Sequence, residues 1–164
     1  MIRETPPDVP LRKQKMKLKE YLCLMAKYNR AMNTKIYDAV ATLPVEQHTE
    51  NRGAFFGSII GTLNHILVGD IIWLKRLSFA LQGHSELKPV HALTQATSLD
   101  TVLFTNLQEL KTQRESLDEL ILQFTSSLND DELWLPINYK NMKGDVCTKN
   151  LFPLLAHVFN HQTH

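Results

Sequence analysis

Cysteine is scarce in this chain: there are two, Cys23 and Cys147, far apart and in no C-x-x-C spacing. That excludes a disulfide framework and makes a reducing cytoplasm the expected home. Long apolar runs are missing as well. None approaches the roughly 20 residues that span a bilayer, and the opening MIRETPPDVPLRKQ has no apolar stretch of the kind a secretory signal needs. Neither sign of charge is in excess, with 18 Lys and Arg against 17 Asp and Glu. Such a balance gives no field that argues for nucleic acid or an anionic membrane. Internal repeats and low-complexity tracts are absent too. A soluble cytoplasmic protein is expected.

What is present is ordinary globular material. Hydrophobic residues make up 43% of 164, enough for one domain with a substantial core. Residues 1–15 carry Pro6, Pro7 and Pro10, then Arg12, Lys13 and Lys15, and read as a loose solvated arm. The basic segment 12–19 has no interleaved aromatics on which bases could stack, so nucleic-acid binding is the weakest reading of it. Over 16–43 the apolar positions Leu18, Tyr21, Leu22, Met25, Tyr28, Met32, Ile36, Val40 and Leu43 recur at helical steps, ending at Pro44. A polar loop is expected next, then a helix over 58–82 with Gly83 at its cap. Residues 83–98 read as a connection. A third helix is predicted over 99–128, capped by Thr97 or Ser98, with Leu99, Val102, Leu103, Leu107, Leu110, Leu117, Ile121, Phe124 and Leu128 as its stripe. The period then breaks in DDELWLPINYKNMKGDVCT, where 133–139 and 145–148 can pair as a short hairpin or form an irregular loop. A last helix begins near Leu151, with Pro153 tolerable only in its first turn. Amphipathic helices of this kind bury their stripes against one another, so the fold class is all-α, a four-helix bundle over 16–164.

The histidines carry the chemistry. His157, His161 and His164 recur at steps of four and three, and at about 100° per residue they fall within roughly 60° of one another. The stripe borders Leu154, Leu155 and Val158, at the edge of the bundle interior. Two imidazoles one turn apart can share a metal ion, but such pairs also arise as ordinary surface polarity. A ligand from another helix changes that balance, and His65 is the candidate. It sits within a mostly apolar helix, where a neutral imidazole is costly to bury without a partner. Asp70 reads as a buried ion-pair partner more readily than as a carboxylate orienting a ligand, and Trp73 as core more readily than pocket wall. His48, His84 and His91 lie in polar sequence with no specific role expected. A ferritin-like di-iron site is set aside because no helix holds a Glu-x-x-His pair.

The stretch Gly57-Ser58-Ile59-Ile60-Gly61-Thr62-Leu63-Asn64-His65-Ile66-Leu67, followed by Asp70 and Trp73-Leu74-Lys75-Arg76-Leu77, resembles the second helix of DinB-like proteins. The terminal Leu155-Ala156-His157-Val158-Phe159-Asn160-His161-Gln162-Thr163-His164 resembles the start of that family's last helix. The resemblance implies a four-helix bundle of unusual connectivity, often a homodimer, whose three histidines bind a divalent metal ion such as nickel or zinc. Carried over by position, His65 is the first metal ligand and His161 the second. The third family ligand falls at the position just after His164; His164 stands next to it and is the candidate replacement. The segment stops without a cap, so further C-terminal turns are expected in the natural chain.

An ion held by neutral imidazoles keeps its charge and open coordination positions, and can lower the pKa of a bound water or thiol. The resemblance therefore implies a metal-dependent transferase or hydrolase acting on a small-molecule substrate, by analogy with relatives that use low-molecular-weight thiols. Neither cysteine lies near the histidine motifs, so no protein nucleophile is indicated. The alternative is a non-catalytic, stress-associated bundle that binds a metal or ligand.

Overall fold

The computed structural model describes residues 16–96 and 98–163. The arm expected at 1–15, the cap at Thr97 and the candidate ligand His164 lie outside the described residues. Helices α1 (Leu18–Ala41), α3 (Ile59–Ala80), α4 (Leu107–Ser127) and α5 (Leu151–His161) form the bundle. The short α2 (Val45–Thr49) and two 3-10 helices, Ser85–Ala92 and Glu132–Trp134, fill the connections. Strands β1 (Pro136–Lys140) and β2 (Val146–Asn150) pair antiparallel, with Pro136 opposite Asn150 and Lys140 opposite Val146. The result is the all-α bundle with a small hairpin that the residue pattern predicts. No helix among the described residues is long and apolar enough to cross a membrane.

The core runs through Leu22, Leu67, Leu74, Leu77, Leu110, Leu117, Phe124 and Leu155, with α1 packing most extensively on α4. Tyr21, Tyr28 and Ile36, assigned by periodicity to the inner side of α1, are exposed instead. The true inner face of α1 is Leu22, Ala26, Asn29, Tyr37 and Val40.

Other departures have local causes. The predicted polar loop after Pro44 holds α2, and His48, expected to be idle, donates from Nε2 to the carbonyls of Val40 (3.0 Å) and Leu43 (3.2 Å) at the end of α1. It thereby satisfies acceptors that a helix end leaves orphaned. The 83–98 connection contains the longer 3-10 helix, where His91 Nε2 meets Ser78 Oγ at 2.8 Å; His84 bridges Ser127 and Glu132. The C-terminal cap of α3 is Leu81, and Gly83 stays outside the left-handed region. Helix α4 starts eight residues later than predicted because Asn64 captures the chain just upstream of it. Its Oδ1 accepts from the amides of Leu103 (2.8 Å) and Phe104 (3.0 Å), and its Nδ2 donates to the Phe104 carbonyl (2.8 Å). With 103–104 tied to α3, the helix begins at the next capable cap, Asn106, whose side chain accepts from the amides of Gln108 and Glu109. Leu99 and Val102 therefore lie exposed rather than on a helical stripe. Pro153 stands in the first turn of α5, where its missing N–H costs nothing.

Candidate metal centre

Ser58 opens α3, its Oγ accepting from the Gly61 amide at 3.0 Å. The preceding turn folds back over this first helical turn. A Cβ on Gly61 would stand 2.1 Å from the Phe56 carbonyl oxygen, so only glycine admits the approach. The turn delivers the Phe56 ring onto His65, stacked at 3.7 Å between centroids with 18° between planes.

His65 sits two turns into α3. Its Nδ1 lies 2.8 Å from the Leu99 carbonyl oxygen. A carbonyl only accepts, so Nδ1 carries the proton and neutral His65 presents the Nε2 lone pair. That nitrogen faces His161 Nε2 of α5 at 3.1 Å, with the ring centroids 4.9 Å apart. The two histidines, 96 residues apart in sequence, are thus brought together. With the His65 lone pair as acceptor, His161 Nε2–H is the donor of this contact.

The pair also fits a shared ion. With metal–nitrogen bonds of about 2.0–2.1 Å, two imidazole nitrogens on one ion stand roughly 3.0 Å apart at a right angle and 3.4 Å at the tetrahedral angle. The observed 3.1 Å lies within that range. An Nδ1–H bonded to a backbone carbonyl is the usual arrangement behind a ligating histidine. Among the described residues, no group of three or more His, Cys, Asp or Glu side chains converges on a possible ion site. His164 lies outside those residues, and His157 contributes a ring 6.2 Å from that of His161.

The seat of His161 is carved from α3. A Cβ on Gly69, one turn beyond His65, would stand 2.8 Å from His161 Cε1 and 3.2 Å from Nδ1. Gly69→Ala is expected to push the imidazole off α3 and break the contact with His65, at an overpacking cost of about 1–3 kcal/mol. Long-range proton–nitrogen NMR of the imidazoles checks this. His65 should keep its Nδ1–H form while the His161 ring signals shift; unchanged His161 signals would contradict the close seat.

Asp70 takes the ion-pair role favoured by the sequence. It is 1% exposed, and its Oδ2 accepts from Arg114 Nη1 of α4 (2.5 Å) and from Gln162 Nε2 (2.6 Å). Through Gln162 it holds the turn on which His161 sits. Arg114 Nη2 lies 2.9 Å from Asp118, which also accepts from Asn33 and Asn29 of α1. Burial raises the Asp118 carboxyl above its ordinary value, against the opposing pull of Arg114. Burial likewise raises the nearby Tyr37 phenol. Trp73 is half-buried rather than fully core; its ring meets His157 at 5.4 Å and Tyr139 at 5.1 Å.

Phe56, Gly69, Arg114 and Gln162 escape a motif-led reading of the sequence. Two of them leave a trace in it. An isolated glycine within an apolar helix signals a close approach, and Arg114 occupies a stripe position between Leu110 and Leu117.

The chain resembles known proteins over most of its length. The DinB family model matches residues 14–164. Protein DinB of Bacillus subtilis (strain 168) is 27% identical over 154 residues, covering 90% of this chain and 81% of that relative. No solved structure gives a significant match. With a matching profile over nearly its whole length, the chain belongs to the DinB family.

Proposed function

We propose that this protein binds a divalent ion, nickel or zinc, through His65 and His161 and uses it in a transfer or hydrolysis reaction on a small substrate, a low-molecular-weight thiol being the favoured class. The observation that supports the reading is the 3.1 Å approach of two Nε2 atoms, with the His65 lone pair aimed at its partner by the Leu99 carbonyl. When bound, such an ion supplies Lewis acidity that lowers the pKa of a coordinated water or thiol. The chain's own residues prepare the place. Leu99 holds the His65 ring in one tautomer, Phe56 shields one ring face from water, and Gly69 admits the His161 ring. Asp70, through Gln162, keeps the last turn of α5 against α3. No residue of the chain is assigned as a nucleophile.

Elemental analysis by inductively coupled plasma mass spectrometry tests the proposal. About one equivalent of a divalent ion per chain is expected in the untagged protein, and none in the His65→Ala, His161→Ala double variant. The loaded protein should then accelerate transfer of small thiols to an activated aryl chloride. An ion that is bound and lost as expected, without any thiol or hydrolytic turnover, would leave a non-catalytic binding bundle. Absence of stoichiometric metal after incubation with zinc and nickel would sink the metal reading itself.

A further inference from the structure

Toward the end of α3 a second spot is chemically marked. Arg76 is half-buried, its guanidinium carbon 4.8 Å from the Trp73 ring centroid and 5.6 Å from that of Tyr139. Among the described residues no carboxylate pairs with it. Burial pushes the guanidinium down from its ordinary value, and the groups that oppose this are Tyr139 and Cys147, neither of them a carboxylate. An arginine half out of water and without a counter-ion is an uncommon expense unless an anion comes to it.

The surroundings describe that anion. Arg76 and Phe79 are shared by two adjoining hollows of about 430 Å³ and 330 Å³. Tyr139 and Val146 continue the wall of the first, Ile72 and Met142 that of the second, and neither lining contains Asp or Glu. Phe79, Val146 and Met142 are 70%, 73% and 50% exposed, so apolar surface is left open around the cation. Lys75 is already engaged, donating to the Leu93 carbonyl at 2.7 Å and to Gln95 at 3.1 Å. Lys140 is solvent-exposed, where its charge is screened. One uncommitted guanidinium therefore faces the hollows. The guanidinium carbon lies over both rings, and a guanidinium's fork of N–H groups suits a planar, two-oxygen acceptor. A doubly charged phosphate would bring one negative charge too many against apolar walls.

We propose that Arg76 is the receptor for the carboxylate of a small amphipathic molecule whose apolar body lies against Phe79, Tyr139 and Val146. The site stands on Arg76 and its hollows, independently of whether the histidine pair binds metal.

Trp73 lies under the guanidinium and reports on its occupation. The other tryptophan, Trp134, is 60% exposed and is removed as Trp134→Phe to leave a single emitter. Benzoate, its uncharged analogue benzamide, and sulfate are titrated against this protein, with and without chelator. Benzoate is expected to change Trp73 emission saturably and equally in both conditions. Benzamide and sulfate should each bind roughly 10–100-fold more weakly, the range a charge-assisted hydrogen-bond pair supports. Arg76→Gln should weaken benzoate by a similar factor. Arg76→Lys, which keeps the charge and the stem but not the fork, should fall between. Circular dichroism identifies any variant that has not folded, and the benzamide comparison in the parent protein needs no variant. Equal binding of benzoate and benzamide, sulfate binding as tight as benzoate, or no saturable response to benzoate would each overturn the proposal.

Discussion

Replacing Arg114 with leucine is expected to cost about 3–5 kcal/mol of stability, the cost of breaking a buried ion pair by removing one partner. Arg114 is 2% exposed and stands between Asp70 and Asp118, which are 1% and 3% exposed. Leucine fills much of the space but leaves two buried carboxylates without their cation. The deficit should also depend on pH, with a sign that can be worked out. Burial already holds the Asp118 carboxyl above its ordinary value in the folded protein, with Arg114 pulling the other way. Removing Arg114 takes away that pull, so the folded value rises further. An acid whose folded pKa exceeds its unfolded one binds protons more tightly in the native state. Stability then falls as pH rises from the unfolded value, about 3.9 for Asp, to the raised folded value, and is flat above it. Urea titrations of the parent and the Arg114→Leu variant at several pH values measure this. The variant should recover part of its loss on acidification, and a pH-independent deficit under 1 kcal/mol would show that the ion pairs matter little.

Gly61→Ala is expected to have the largest effect per atom added. Its methyl carbon would lie 2.1 Å from a backbone oxygen, that of Phe56, and cannot be accommodated by rotating a side chain. The turn must lift off α3, at a cost of about 1–3 kcal/mol from overpacking, offset in part by the better helix propensity of alanine, up to about 1 kcal/mol. The local consequence is the more telling one. Phe56 leaves the face of His65, so the ring-current shift that a ring stacked at 3.7 Å imposes on the His65 protons should disappear from the proton spectrum. Retention of that shift would mean that the turn is more pliable than its geometry indicates.

The legibility of this fold varies with how local its causes are. Helices α1, α3 and α5 and the hairpin are written in apolar spacing, in Ser58, and in the positions of Pro44 and Pro153, all of which act within a few residues. The start of α4 was not legible, because it depends on Asn64, forty residues away, reaching the backbone of Phe104. The outer residues of α1 depart from the periodic pattern for a related reason. Periodicity locates a face but not how wide a neighbour covers it, and Tyr21 and Tyr28 lie beyond the covered width. Of the candidate site, the sequence singles out His65 and His161, which the structure sets side by side. The seat at Gly69, the ring of Phe56 and the bond from Gln162 to Asp70 depend on which helices meet, and a one-dimensional pattern does not carry that.

The polar chain from Asn33 through Asp118, Arg114 and Asp70 to Gln162 touches α1, α4, α3 and the end of α5 in turn. Apolar surfaces tolerate sliding, since one leucine is much like the next. Charged atoms sealed from water do not, because a shift of one residue, about 1.5 Å along a helix, leaves donors and acceptors facing hydrocarbon. The network therefore acts as a gauge block, setting the axial offset of α3 against α5. That offset decides whether two imidazoles carried on separate helices arrive at bonding distance or pass each other by.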